Sequence, residues 1–229
     1  MSARPPEFLR LPRRRVAIAL LTLASLLLIL TPAPVAAAGL RSTSPALAQL
    51  AVQALDAVND LDHVDDTRRD DSYVLTYNRY ARLRDDAAGL AAFELGIPAA
   101  ILRDAWARSD LDKQTALLAA LTQLGVSYRS HRSEPGVAFD CSGLTAYAWG
   151  VAGLQLPRQS RAQLNQSRHV ERADAQAGDL MYYPGHVMIY LGIDDAMVQA
   201  PYRGSEVEIT FLSARHSRNV TFADPTLTD

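Results

Sequence analysis

The single cysteine of this 229-residue chain, Cys141, lies in a sequence context that suits a nucleophile. A thiol attacks a carbonyl as the thiolate, which the free N–H groups and the positive dipole end at a helix N-terminus stabilise. Asp140 and Cys141 precede a short apolar segment, 145–149, which predicts a helix beginning near the cysteine. Within this start, Gly143 leaves room for a substrate backbone, and Ser142 can hydrogen-bond locally or to substrate. Without such a context, a lone cysteine is more often a small buried hydrophobic residue.

A base for the thiol must come from a histidine elsewhere in the chain, because the fold brings the two together. His186 follows a glycine and opens an apolar run, so we expect its ring to project from a strand start toward the preceding helix. Gln199 is the polar residue of the next predicted strand and could orient the second imidazole nitrogen. We therefore predict a triad of Cys141, His186 and Gln199. The other four histidines are expected at the surface: His63, His131, His169 and His216.

These three residues fall in a segment whose pattern predicts an α+β domain. A helix is predicted over 111–124, ending at Gly125. Beyond residue 179, short apolar runs alternate with turn residues, which is typical of an antiparallel meander. Helices followed by such a meander form an α+β fold. The predicted strands are 180–183, 186–191, 197–200 and 206–211.

The preceding segment, residues 39–108, predicts a helical extension. Ser44 and Pro45 form a helix start, with an N-cap residue followed by proline at the first helical position. A second, longer helix is predicted to end near Gly96, and a short third helix follows it. None of these helices carries residues that suggest chemistry. The extension could therefore be a prodomain, a binding module or a scaffold.

Residues 1–38 have the pattern of a secretory signal peptide. Five arginines precede or open an apolar run of fifteen residues, Val16 to Leu30, and small residues follow at 35–38. Spanning a bilayer takes about 20 apolar residues, so this run is short for a membrane anchor. We therefore predict a secreted bacterial protein of the periplasm or the medium, with an uncleaved membrane anchor as the alternative.

The charge balance and the missing motifs exclude several classes of partner. Removal of residues 1–38 leaves 18 basic and 24 acidic residues, a net charge of −6. This balance argues against nucleic acid as a partner. The sequence contains no His-Glu-x-x-His, no Gly-x-x-x-x-Gly-Lys and no Gly-x-Ser-x-Gly. We therefore expect no metal and no cofactor, while the oligomeric state is left open.

Six short segments within residues 111–212 resemble, in order, the NlpC-type cell-wall peptidases, a papain-like family. The family pattern combines Gly-x-x-Tyr, Asp-Cys-Ser-Gly-Leu, Leu-Pro-Arg, Gly-Asp-Leu, Gly-His-Val and a polar residue before Ala-Pro. Six segments in order are far more specific than any one of them. The resemblance implies a papain-like cysteine peptidase domain over residues 109–229. The corresponding segments here are 125–128, 140–144, 156–158, 178–180, 185–187 and 199–201.

The resemblance also implies roles for individual residues. Cys141 is expected to be the nucleophile, His186 the base and then the acid, and Gln199 the residue that orients the imidazole. The expected substrate is a peptidoglycan stem peptide, hydrolysed at the γ-D-glutamyl-diaminopimelate bond without a cofactor. Substrate contacts are expected from four residues: Tyr128, Asp140, Ser142 and Gly143.

Two departures from the family pattern leave other functions open. The third polar residue is commonly histidine in the family, and Gln199 stabilises an imidazolium less than a carboxylate would. After Tyr128 the chain reads Arg-Ser-His-Arg, where the family often has an aromatic residue and paired glycines. One alternative is therefore a catalytically weak or inactive cell-wall-binding protein. The other is an amidase or acyltransferase that uses the same Cys-His chemistry on another amide.

Overall fold

A computed structural model describes residues 41–63 and 71–227 of the chain. All of these residues fall in one unit of the chain, Ala36–Asp229. The predicted signal peptide, residues 1–38, lies outside the described residues, as do residues 64–70. No helix in the described ranges combines the length and the apolar character needed to cross a bilayer.

Three helices form the N-terminal part of the described chain: α1 (Pro45–Asp62), α2 (Asp71–Leu95) and α3 (Ala99–Arg108). Ser44 caps α1 because its Oγ accepts the N–H of Leu47 at 3.2 Å, and Pro45 suits the first turn. Gly96 follows the end of α2 with a φ of +67°, a conformation that glycine adopts without strain. α1 packs against α2, and α2 packs against α3. The predicted helix start and helix end are therefore confirmed.

The remaining helices are α4 (Leu111–Leu121), α5 (Cys141–Val151), α6 (Ser160–Gln166) and α7 (Ala214–Ser217). α4 packs against both α1 and α5, and it is buried from Lys113 to Leu121. It ends three residues before the predicted position, because the final turn is tightened by N–H groups of Gln123 and Leu124 that bond three residues back. The sequence pattern did not predict α6 or α7.

An antiparallel sheet of seven strands carries the site, in the order β1-β8-β7-β6-β5-β9-β4. The four predicted strands are present as β5 to β8, with shifts of one or two residues at their ends. Together with the helices they confirm the α+β class. Three further strands, β1, β4 and β9, extend the sheet, and a separate hairpin joins β2 to β3. The strands are β1 (Arg41–Ser42), β2 (Ser133–Glu134), β3 (Ala138–Phe139), β4 (Arg168–Val170), β5 (Leu180–Tyr183), β6 (His186–Tyr190), β7 (Ala196–Gln199), β8 (Glu208–Phe211) and β9 (Thr221–Asp224).

Both faces of the sheet are buried, and strand alternation decides which face each side chain occupies. On β6, Val187 and Ile189 join the core that the helices cover, whereas Met188 and Tyr190 join a second cluster on the other face. His186 alternates with Val187, so its side chain lies on the face of Met188. The expectation that its ring points toward the helical layer is therefore wrong, because the two-residue period of the strand turns it to the opposite face.

A buried ion cluster ties α4 to the sheet. Lys113 Nζ lies 2.8 Å from Asp179 Oδ1 and 2.7 Å from Asp224 Oδ2. Burial raises the pKa of Asp179 to about 6, while hydrogen bonds from Gln176 and Lys113 oppose the rise. Gly178 has a φ of +100°, and a Cβ there would lie 2.5 Å from the Lys113 carbonyl oxygen. The Gly-Asp-Leu segment therefore has a structural role as the anchor of β5.

Candidate active site

The N-terminus of α5 is held by Asp140, the residue before Cys141. Asp140 Oδ1 accepts the N–H of Gly143 at 2.8 Å, which makes Asp140 the N-cap of the helix. Its Oδ2 accepts the N–H of His131 and the Arg158 guanidinium, both at 2.7 Å. Burial opposes ionisation, but Arg158 and the two N–H donors outweigh it and lower the pKa of the Asp140 carboxyl. An ionised cap thus fixes the backbone that carries the thiol.

Ser142 and Gly143 both contact other segments of the protein. A Cβ at Gly143 would lie 2.1 Å from the Arg132 carbonyl oxygen, so the close approach of this loop requires glycine. Ser142 is buried, and its Oγ accepts a hydrogen bond from Arg158 Nη1 at 3.0 Å. The room at Gly143 is therefore taken by the loop around Arg132. Contact of Asp140, Ser142 and Gly143 with a substrate stays a prediction.

Cys141 is the first residue of α5, and its side chain is partly exposed. Burial raises the pKa of the thiol, and the negative charge of Asp140 adds to the rise. The backbone N–H groups of Val187 and Ser142 stabilise the thiolate, but they do not outweigh burial. The helix N-terminus alone therefore does not produce a thiolate, and a base must remove the proton.

His186 and Gln199 form a direct hydrogen bond, with 2.8 Å between His186 Nε2 and Gln199 Oε1. The Gln199 amide nitrogen, Nε2, donates in turn to Glu208 Oε1 at 3.1 Å. Glu208 faces Gln199 in the register of β7 and β8, and all three side chains are buried. Burial lowers the pKa of His186, and the nearby His216 adds to this effect, while Gln199 opposes it. The imidazole is therefore neutral at neutral pH and able to accept a proton.

The thiol lies next to the start of β6, the strand that His186 opens. The N–H that bonds Sγ belongs to Val187, the residue after His186. The ring centre of Tyr183 lies 5.2 Å from that of His186. Burial raises the pKa of Tyr183, and the charge of Cys141 adds to the rise. Within the described ranges, no hydrogen bond joins Sγ to the imidazole. Such contacts are often long without substrate and shorten when the substrate binds.

Sequence reasoning missed Tyr183 and His216 at this site. The ring of His216, on α7, stacks on that of Tyr183 at 4.3 Å and 10°, and the residue is half-buried. His216 is therefore only partly exposed, whereas the other three histidines expected at the surface are exposed. The two residues line a cavity of about 290 Å³ together with His186, Gln199 and Arg41. No local pattern in the sequence predicts the stacking of His216 on Tyr183.

Tyr128 lies next to β3, the strand that ends two residues before Cys141. Its N–H donates to the Ser205 carbonyl at 2.8 Å, and it forms an isolated bridge with Phe139, two residues before the cysteine. Its side chain lines an open pocket of about 400 Å³ whose other lining residues are Arg129, Ser130, Arg132 and Arg203. A role of Tyr128 in substrate binding stays a prediction.

No group of three or more His, Cys, Asp or Glu side chains within residues 41–63 and 71–227 is arranged to hold a metal ion. The described site offers a thiol, an imidazole and backbone N–H donors. The expectation of a reaction without a cofactor stays a prediction.

Comparison with known proteins relates this region to one family. Residues 124–224 match the sequence model of the NlpC/P60 family. Peptidoglycan endopeptidase RipB of Mycobacterium tuberculosis is 44% identical over 78 residues, which are 32% of this chain and 32% of RipB. Murein DD-endopeptidase MepH of Escherichia coli is 32% identical over 110 residues, covering 44% of this chain and 40% of MepH. The chain thus matches less than half the length of either relative.

A solved structure is similar to part of this chain. RipD from Mycobacterium tuberculosis, described as a non-catalytic NlpC/p60 domain protein, is 27% identical to this chain with a TM-score of 0.41. The match covers 52% of this chain and 100% of the RipD chain.

Proposed function

We propose that this chain, whose residues 124–224 match the NlpC/P60 family, is a cysteine peptidase that hydrolyses amide bonds of peptidoglycan stem peptides. The observation that carries the proposal is the buried hydrogen bond between His186 and Gln199 beside the thiol at the start of α5. It supports a working base, because an acceptor on Nε2 leaves the Nδ1 lone pair free for the thiol proton.

The proposed reaction is acyl transfer in two steps. His186 removes the Cys141 proton as the sulfur attacks the amide carbonyl, so the neutral pair becomes an ion pair only during the reaction. Backbone N–H groups at the start of α5 would stabilise the oxyanion. His186 then protonates the departing amine, and water, activated by the same imidazole, releases the acyl group from sulfur. Gln199 keeps the ring oriented throughout.

The bond that is cut is a separate part of the proposal. We favour the γ-D-glutamyl-diaminopimelate bond on the basis of the six-segment resemblance. The names of the similar proteins do not agree on one bond, because RipB is named a peptidoglycan endopeptidase and MepH a murein DD-endopeptidase. Mass spectrometry of fragments from defined stem peptides identifies the bond. Cleavage at a different amide would overturn this assignment and leave the peptidase proposal in place.

The activity itself is tested with the Cys141→Ala variant. The parent protein should release new amines from purified muropeptides, and the variant should release none while retaining the parent's thermal unfolding profile. Binding of both proteins to isolated cell walls is measured in parallel. If the parent releases no amine and both proteins bind walls equally well, the chain is a wall-binding protein and the peptidase proposal is wrong.

The substrate implies that the protein acts in the cell envelope or outside the cell. The proposed export signal, residues 1–38, lies outside the described residues. N-terminal sequencing of protein recovered from the native host would test it. A mature chain that begins just after Ala38 is expected, and an intact Met1 in envelope fractions would favour the membrane anchor.

A further inference from the structure

The proposed mechanism does not use the carboxylate of Glu208, which contacts Gln199, the partner of the proposed base His186. Glu208, on β8, is 5% exposed, and its Oε1 accepts the Nε2–H of Gln199 at 3.1 Å. Gln199 in turn contacts His186 at 2.8 Å. These three side chains form a continuous buried line across neighbouring strands, and it ends on the imidazole.

The chemistry of each group fixes the direction of every hydrogen bond in this line. An ionised carboxylate only accepts hydrogen bonds, so the amide group that faces Glu208 must be the NH₂ of Gln199. The carbonyl oxygen of Gln199 then faces His186, and an oxygen in that position accepts from Nε2–H. A neutral imidazole protonated on Nε2 carries its free lone pair on Nδ1. Without Glu208 the amide could turn and present its NH₂, which would select the opposite tautomer.

The second oxygen of Glu208 has a partner of its own. Arg41, on β1, places Nη1 3.7 Å from Glu208 Oε2, and Tyr202 holds the same guanidinium by a hydrogen bond. Oε1 is therefore left for Gln199. The Arg41 side chain is 54% exposed, so this ion pair contributes little to stability, but it places a positive charge beside a buried carboxylate.

We propose that Glu208 is a positioning residue for the base: by accepting the Gln199 amide N–H, it sets the imidazole tautomer that accepts the Cys141 proton. This inference rests on the proposed function, because the tautomer matters for turnover only if the thiol is a nucleophile. It also explains how glutamine can occupy the third position, since the carboxylate removes the ambiguity of an amide that could otherwise present either end.

Two variants, Glu208→Gln and Gln199→Glu/Glu208→Gln, test the inference in kinetics. Glu208→Gln replaces a charge-assisted bond by a neutral one that permits either amide orientation, so kcat should fall about tenfold with little change in KM. In the Gln199→Glu background a carboxylate already faces Nε2–H, and Glu208→Gln now relieves the repulsion between two adjacent carboxylates. There the same substitution should raise kcat. Glu206→Gln, an exposed change two residues earlier, is the matched control and should leave kcat unchanged.

This reversal of sign separates positioning from a purely structural role. A structural role would lower activity in both backgrounds by a similar factor, and that result would overturn the inference. A Glu208→Gln variant with the kcat of the parent would also overturn it. If that variant does not fold, Glu208→Asp retracts the carboxylate from Gln199 while keeping its charge, and the same loss of kcat is expected.

A spectroscopic measurement tests the tautomer without turnover. In the Cys141→Ala protein, the ¹⁵N shifts of His186 should report the Nε2–H form, and adding Glu208→Gln should produce a mixture of tautomers. An unchanged Nε2–H form would contradict the inference. If the parent cleaves no stem peptide, the proposed function fails, but the ¹⁵N measurement still decides whether Glu208 controls the tautomer.

Discussion

Replacement of Lys113 by methionine should destabilise the protein by about 3–5 kcal/mol at neutral pH, because removing one partner of a buried ion cluster leaves uncompensated charge. Asp179 and Asp224 would then face each other without a cation, with side chains 1% and 7% exposed. Methionine retains most of the apolar stem of lysine, so little of the loss comes from packing. The matched control is Arg79→Met, which removes an exposed ion pair with Asp60 and should cost less than about 1 kcal/mol.

The cost of Lys113→Met should shrink in acid. The pKa of Asp179, raised to about 6 from 3.8, means that the folded protein binds this proton more tightly than the unfolded chain. Protonation of Asp179 therefore stabilises the folded protein fully at a pH below the pKa of this residue in the unfolded chain. This stabilisation is lost as the pH rises through the pKa of Asp179 in the folded protein. Without the Lys113 cation, the pKa of Asp179 in the folded protein rises further, so the variant continues to lose stability up to a higher pH. Each pH unit in this window changes the free energy of unfolding by about 1.4 kcal/mol.

Urea unfolding, followed by the fluorescence of the buried Trp106 and Trp149, measures these differences. The parent, Lys113→Met and Arg79→Met are compared at about pH 5 and about pH 7.5, on either side of the raised Asp179 pKa. The reasoning fails if Lys113→Met costs no more than Arg79→Met near pH 7.5. It also fails if the cost of Lys113→Met is the same at both pH values, because protonation of Asp179 would then not relieve the buried charge.

Three further predictions concern the site itself. Gly143→Ala should lower the free energy of unfolding by about 2–4 kcal/mol, because a Cβ 2.1 Å from the Arg132 carbonyl oxygen displaces that loop and weakens the cap; urea unfolding measures it. The rate of Cys141 alkylation by iodoacetamide should rise about tenfold per pH unit between about pH 7 and 8, because the thiol pKa is raised above 9.0. His186→Ala should abolish muropeptide hydrolysis, whereas Gln199→Ala, which removes only the orienting group, should reduce kcat less severely.

Each of these predictions has an outcome that contradicts it. A Gly143→Ala protein as stable as the parent would show that the Arg132 loop moves freely. An alkylation rate that is flat between about pH 6 and 8 would indicate a preformed thiolate-imidazolium pair. Full activity of the His186→Ala variant would exclude the proposed base.

Local sequence pattern predicted the elements whose signals lie within a few residues of one another. The start of α1 follows from Ser44 and Pro45. The alternation of apolar runs and turns predicted β5 to β8 within two residues at each end. The position of Cys141 at the start of α5 followed from the apolar segment after it, and the hydrogen bond between His186 and Gln199 is present as expected.

The features that the sequence did not predict depend on contacts between distant segments. β1 contains two residues and pairs with β8, more than 160 positions away along the chain. No local sequence pattern therefore predicts this strand. The stacking of His216 on Tyr183 joins α7 to β5, and the contact of Gln199 with Glu208 depends on the register of β7 and β8. The net direction of the Cys141 pKa depends on burial, which a tetrapeptide does not reveal.

The pairing of β1 with β8 limits how the protein can be divided. Arg41 and Ser42 cover the backbone of Thr210 and Ile209, on the strand that carries Glu208. A fragment that begins at residue 109 would leave β8 as an open edge, with unpaired N–H and C=O groups that favour association with other chains. Proteolytic removal of residues 39–108 would have the same effect. Loss of the predicted extension would thus expose an open sheet edge on the strand that carries Glu208.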